Sequence, residues 1–279
     1  MAYEYELLTV EVDERLACVT ISNPPINLMT PDLYNELRNV CIELEHDDSL
    51  SVVLFKSANP DFFIAHFDVE AILQFPTDDE PRREAELNPF HQMCERVRTM
   101  DKVTIAQIEG RVGGGGSEFV SSMDMRFGVL GKTVVNQMEV PIGILPGGSG
   151  TQRLPRLIGM GRALEVILGG EDLDSETAEK WGYLNRVFEA NEIEEWVANL
   201  AKRIAGFPVS AVRLAKEAVL ASEGPIEEGL REEAYLFAQL LRTPESQSQM
   251  KQFLELGGQT KDGELQVGKL SGKLELKDS

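Results

Sequence analysis

Hydrophobic positions along the first sixty residues recur with two different periods. In ELLTVEVD and LACVTIS, Val, Thr and Ile dominate with partial alternation, which predicts two short strands around the turn Asp13-Glu14-Arg15. SNPPINLMTP is a loop, since paired prolines suit neither helix nor strand. Thr30 as N-cap and Pro31 at the first helical position open a helix over PDLYNELRNVCIELEHD, where Leu33, Leu37, Val40, Cys41 and Leu44 keep the 3.6-residue period. SVVLFKS then reads as a buried strand. The order strand, strand, helix, strand suggests a repeated ββα unit.

The next apolar run ends at Ala65, and Asp68 stands near the start of a helix carrying Val69, Ile72 and Leu73. QFPTDDEPRREAELNP is a charged, proline-containing surface loop, in which Arg82 and Arg83 read as solvated charges before phosphate ligands. A helix resumes with Phe90, Met93, Cys94 and Val97 on one face. VTIAQIE is a strand, and FVSSMDM a short helix. Further on, GSGTQRLPRLIGMGRALEVILGG gives two helical pieces hinged near Gly159 to Gly161. SETAEKWG is a helix capped by Asp174 or Ser175 and stopped at Gly182. Asn191 to Gly206 is amphipathic, and VSAVRLAKEAVLAS, IEEGLREEAYLFAQLLR and ESQSQMKQFLEL are helical. The last stretch reads as an exposed tail, with a small hairpin over LQVGKLSGKLEL as the alternative.

Composition narrows the function classes. The 279 residues are enough for one large domain, or one domain with an appendage. A formal charge of −20 argues against nucleic acid and anionic membrane as partners, because both need basic patches. The N-terminal residues lack the pattern of a signal peptide, and no apolar run approaches the roughly 20 residues of a bilayer span. Cys18, Cys41 and Cys94 have no paired spacing, which fits free thiols in a reducing cytoplasm. His46, His66 and His91 are scattered, so no metal site is expected.

The candidate chemistry lies between Gly110 and Leu154. Glycines 113 to 116 follow a strand and precede a helix, a place where backbone N–H groups can face a cavity and hold an anion that forms during a reaction. A plain flexible turn is the competing reading, and a phosphate loop lacks its Lys-Ser/Thr. Glu118 follows the glycines, and Glu139 precedes a Pro/Gly loop. Two carboxylates converging in an apolar pocket would differ in protonation near neutral pH, giving one base and one acid.

The order G-G-G-x-E, M-D, Q-x-E, P-G-x-x-G-T-Q-R-L over Gly110 to Leu154 resembles the crotonase (enoyl-CoA hydratase/isomerase) superfamily. The likeness extends through ILGGEDLDSETAEKWGYLNRVF to roughly residues 5 to 255. It implies an α/β fold, a spiral of repeated ββα units with a C-terminal helical region. It also implies residues 1–200 as the core with the CoA and acyl site, 201–255 as a helical trimerisation or lid region, and 256–279 as a tail. By the same resemblance Phe67 and Gly115 supply the two N–H groups of an oxyanion hole. Ala65, His66, Asp68, Gly114 and Gly147 bind substrate, with Gly147 offering an N–H to the attacking water. Glu118 activates that water and Glu139 handles the proton at the α-carbon.

The implied activity is hydration of an enoyl-CoA at its 2,3 double bond, with no cofactor beyond the coenzyme A of the substrate, in a cytoplasmic homotrimer or hexamer. The alternatives are an isomerase, another crotonase-type lyase or hydrolase, and a non-catalytic acyl-CoA-binding homologue. The sequence departs from the family at several points. His66 and Phe67 stand where a glycine and a small residue are usual, Met138 replaces a proline, Ser149 replaces a glycine, and one residue is added between the two glutamates. His66 reads first as a turn-capping histidine.

Overall fold

In a computed structural model, which describes residues 3–77, 80 and 83–274, the chain winds between two sheets. Strand β1 (Leu8–Asp13) pairs antiparallel with β2 (Leu16–Ile21), and Thr30 caps helix α1 (Pro31–Glu45) through its hydroxyl, which accepts from Leu33 N. Strand β3 (Val52–Ser57) lies parallel to β2 and then leads into β4 (Phe62–Ile64) of the other sheet. The same move recurs twice. Strand β5 (Val103–Ile108) adds to the first sheet and β6 (Arg111–Gly113) to the second; β7 (Met125–Val129) and β8 (Val134–Asn136) repeat it. Each turn of the spiral thus lays one strand in each sheet before a helix. The order is β1-β2-β3-β5-β7-β10 in one sheet and β4-β6-β8-β9 in the other, where β9 is Leu173–Asp174 and β10 Arg186–Phe188.

All six residues of β5 are buried, the polar Thr104 and Gln107 included, so the strand has no exposed face and shows no inside–outside alternation. One core packs the inner strands against Leu33, Leu37, Val40 and Leu44 of α1 and against Met93 and Val97 of α3 (Pro89–Thr99). A second core forms where Ile193, Val197, Ala201 and Ala205 of α8 (Ile193–Ala205) cover the outer face of the larger sheet. Asp68 caps the single-turn α2 (Val69–Ile72) by accepting from Glu70 N.

Two local expectations change. The helix expected over FVSSMDM instead runs from Gly114 to Ser121 as α4, and the glycines form its first turn. It stops there because the Ser121 and Ser122 hydroxyls both donate to Glu118 O, and Asp124 then takes up Thr104 N and Thr104 Oγ1, which draws the chain into β7 beside β5. After α5 (Gly150–Ile158), α6 (Met160–Gly169) and α7 (Ser175–Trp181) come α9 (Val209–Leu220), α10 (Ile226–Leu240) and α11 (Pro244–Glu255).

The final stretch is neither hairpin nor free tail over its described part. It forms α12 (Lys261–Glu264) and α13 (Val267–Ser271), buries Leu270, and is held by Arg203 Nη2 donating to Gly268 O at 2.7 Å and to Ser271 Oγ at 2.9 Å. Arg82 lies outside the described residues, and Arg83 is exposed. Among the described residues no helix is long and apolar enough to cross a membrane.

Candidate active site

The start of α4 is where the second sheet and the helix meet at closest range. A Cβ on Gly116 would stand 2.7 Å from Ile64 Cβ, and Gly114 has φ +46°, so side chains are excluded at both positions. This compact turn brings α4 against the end of β4 and carries Glu118 into the interior, where it is only 4% exposed. Glu118 Oε1 accepts two backbone hydrogen bonds, from Gly148 N at 2.8 Å and Gly150 N at 2.7 Å. Those amides flank Ser149, which has φ +115° and leads into α5.

Glu139 comes from the loop after β8, immediately before a single 3-10 turn (Val140–Ile142). It is also buried, and its Oε2 has no hydrogen-bond partner among the described residues. Its other oxygen lies over the glycine turn, 3.0 Å from where a Cβ of Gly114 would be. Burial raises both carboxyls. Glu118 is pushed up to about 7; desolvation is the main cause and the Glu139 charge adds to it, while the Gly150 and Gly148 N–H groups pull the other way. Glu139 moves in the same direction through desolvation.

Backbone pairing aims the Phe67 amide. Met29 N donates to His66 O at 2.9 Å and Asp68 N donates to Met29 O at 3.0 Å, a parallel bridge that engages the residues on either side of Phe67. The Phe67 N–H is thereby turned to the opposite edge, toward Gly115, whose Cβ would lie 3.6 Å from Phe67 N. Gly115 is in the first turn of α4, where N–H groups have no intrahelical acceptor. Among the described residues neither amide is spent on another hydrogen bond. His66 Nδ1 sits 2.8 Å from Phe67 O, a contact that the Nδ1–H tautomer makes as donor.

These groups face one cavity of about 780 Å³, whose wall includes His66, Phe67, Gly115, Glu118, Glu139 and Gly147. Ala65, Asp68 and Gly114, expected to touch substrate, are not part of that wall. Ala65 is buried behind it, Asp68 caps α2, and Gly114 backs Glu139. Sequence reasoning missed Gly148 and Gly150 as donors to Glu118; the Gly-Ser-Gly run after Pro146 was their only trace. It also missed Tyr34 and Phe90, which line the cavity from α1 and α3. Among the described residues no group of three or more His, Cys, Asp and Glu is placed to hold a metal ion.

Two buried carboxyls of raised pKa thus face one cavity whose wall also carries Phe67 and Gly115, whose amides have no other hydrogen-bond partner among the described residues. The sequence profile of the enoyl-CoA hydratase/isomerase family matches residues 11–261, and the chain belongs to that family, the crotonase superfamily of enzymes. It is 30% identical over 254 residues to the short-chain-enoyl-CoA hydratase of Clostridium acetobutylicum, covering 90% of this chain and 96% of that one. The crotonyl-CoA hydratase of Syntrophomonas wolfei is 30% identical over 255 residues, with coverages of 90% and 96%. The crystal structure of the enoyl-CoA hydratase from Geobacillus kaustophilus superposes with a TM-score of 0.81 at 28% identity, over 90% of this chain and 95% of that one.

Proposed function

We propose that this protein is an enoyl-CoA hydratase that adds water across the 2,3 double bond of an acyl-CoA thioester. The observation that carries the reading is the convergence of Glu118 and Glu139, from elements far apart in the chain, on one cavity beside the Phe67 and Gly115 amides. The thioester oxygen sits between those two N–H groups, which stabilise the enolate; losing one such donor typically costs on the order of 3 kcal/mol. Ionised Glu118 takes a proton from water as the water oxygen bonds to the β-carbon, with the Gly147 N–H holding that water. The π electrons move into the enolate and return as a new C–H bond at the α-carbon, using the proton of Glu139. Return of one proton from Glu118 to Glu139, directly or through solvent, restores both carboxyls, and the sum is one water added. The thioester itself delocalises the charge, so the chemistry calls for no cofactor beyond the coenzyme A of the substrate.

Loss of the enoyl-thioester absorbance together with appearance of 3-hydroxyacyl-CoA tests the reading. Glu139→Gln should slow it by about 10²–10⁴-fold. Conversion of a 3-enoyl to a 2-enoyl thioester without hydroxy product would point to an isomerase instead, and binding of acyl-CoA in titration calorimetry with no turnover of either thioester would point to a non-catalytic acyl-CoA-binding homologue.

The same reading divides the chain into a core at 1–200 and a trimerisation or lid region at 201–255, with the segment that follows docked on Arg203 over its described part, and has it work as a cytoplasmic homotrimer or hexamer. Exposed Ile226, Tyr235 and Phe237 on α10 support an assembly. A solution mass near the 31.0 kDa of one chain would overturn it.

A further inference from the structure

A second cavity, of about 640 Å³, opens beside the C-terminal end of α4, among residues of β7, α5 and α9. It shares no lining residue with the cavity that holds Glu118 and Glu139. Its wall is largely apolar, with Met125, Phe207 and Val212 contributing to it. From α9 the wall takes Ala211, Ala215 and Val219, which share one helix face at a spacing of four. The two alanines are too small to fill the space in front of them.

The charged groups of this wall are mostly cationic. Five Arg and Lys side chains stand against Asp124 and Glu223, in a chain whose formal charge is −20. Three of the five are paired: Lys216 with Asp124, Arg98 with Glu95 and Glu223, and Arg153 with Glu95. Arg126 is only 4% exposed and has no ion-pair partner among the described residues. Asp124, the carboxylate whose charge it feels, is engaged by Lys216 Nζ at 2.8 Å. Arg126 Nε donates to Tyr183 O at 2.7 Å, and Nη1 donates to Met123 O at 2.7 Å and Val120 O at 3.3 Å. Among the described residues Nη2 has no acceptor. Neutral carbonyls therefore fix the guanidinium without cancelling its charge, and desolvation holds its pKa below the usual arginine value. Arg153 adds a second unspent donor, since its Nε is buried without a partner among the described residues.

We propose that this cavity is a second ligand site, which binds a medium-chain fatty carboxylate with its head on Arg126 and its alkyl chain along α9. A buried cation with an unspent N–H calls for an anion, and the apolar wall calls for an apolar body behind it. A carboxylate suits the planar guanidinium, because its oxygens accept from the fork of N–H groups. Asp124 and Glu223 on the same wall disfavour a phosphate dianion, which they would repel twice as strongly. The volume lies within the roughly 300–1,000 Å³ of small-molecule sites. The proposal is independent of the hydratase reading.

The test is titration calorimetry of the full-length protein with octanoate. Binding should be tighter than about 10 mM and should persist in excess butyryl-CoA, whose acyl group competes for the first cavity. The uncharged analogue 1-octanol should bind at least about tenfold more weakly. Ala215→Trp, at an exposed position, fills the cavity and should abolish binding. Arg126→Lys keeps the charge but loses the fork, and should weaken octanoate at least about tenfold. Should Arg126→Lys fail to fold, the octanol comparison and Ala215→Trp decide the matter. No binding up to about 10 mM, loss of binding in butyryl-CoA, equal affinity for octanol, or a folded Ala215→Trp that binds like the wild type each overturns the site. A wild type that ignores octanoate, with an oligomer that Ala215→Trp dissociates, assigns the cavity to a second copy of the chain and overturns it too.

Discussion

Replacing Glu118 by Gln should stabilise the protein in a pH-dependent manner while disabling it. In the folded chain the Glu118 carboxyl is raised from an ordinary 4.5 to about 7. Between those values the folded state binds a proton that the unfolded chain has already lost, so stability falls as pH rises through this window. The full loss is about 3 kcal/mol once pH exceeds 7, and it is absent below 4.5. Gln keeps an oxygen for the Gly148 and Gly150 N–H groups but does not ionise. For a chain of this size the difference corresponds to a melting temperature higher by roughly 5 °C at pH 8. Thermal melts of both proteins from pH 5.5, above the sequence pI near 4.6, to pH 8.5 would measure it. The gap should shrink toward the acid end, and turnover by the variant should be lower by about 10²–10⁴-fold throughout. A gap that does not vary with pH, or a wild type that is the more stable at pH 8, would refute the account of Glu118 as a desolvated carboxyl.

Three further outcomes are expected. Gly115→Ala places a methyl 3.1 Å from Phe67 Cβ and 3.6 Å from Phe90 Cζ, which wedges the two amides apart; kcat should fall by about 10²-fold with thioester binding retained. Ser149→Gly relieves a left-handed backbone at φ +115° and should raise unfolding stability by about 1 kcal/mol, read from chemical denaturation. Arg203→Ala removes both bonds to the end of the chain, so hydrogen exchange should speed up across residues 267–271 while the strands of the larger sheet stay protected.

Much of the fold was legible because its signals are local. The Thr30-Pro31 start and five periodic apolar residues set α1, and the apolar run Val52 to Phe55 marked β3 as a buried strand. The second sheet had no such signal. Strands β4, β6 and β8 are three residues each and β9 is two, too short for any period to show, and only their neighbours keep them in place. The helical start at Gly114 ran against propensity, since glycine disfavours helix; close approach to Ile64 overrides it there. At the candidate site, carboxylates could be singled out by residue type. The amides around them could not, because a peptide N–H has no letter of its own in the sequence, and those of Gly148 and Gly150 come from the turn into α5, 30 and 32 residues beyond Glu118. The final helices depend on Arg203 from a distant element, a contact that composition does not encode.

The Met29 bridge has a consequence for how such a pocket diversifies. A peptide group aimed by its two flanking residues keeps its direction whatever the side chain between them, so on the hydratase reading proposed above exchange at position 67 would leave the amide's part in the chemistry untouched. The ring at that position is then free to drift in size and shape. On that reading one residue would carry two separable duties, a fixed one in its main chain and an adjustable one in its side chain, and new selectivity could arise there without dismantling the chemistry.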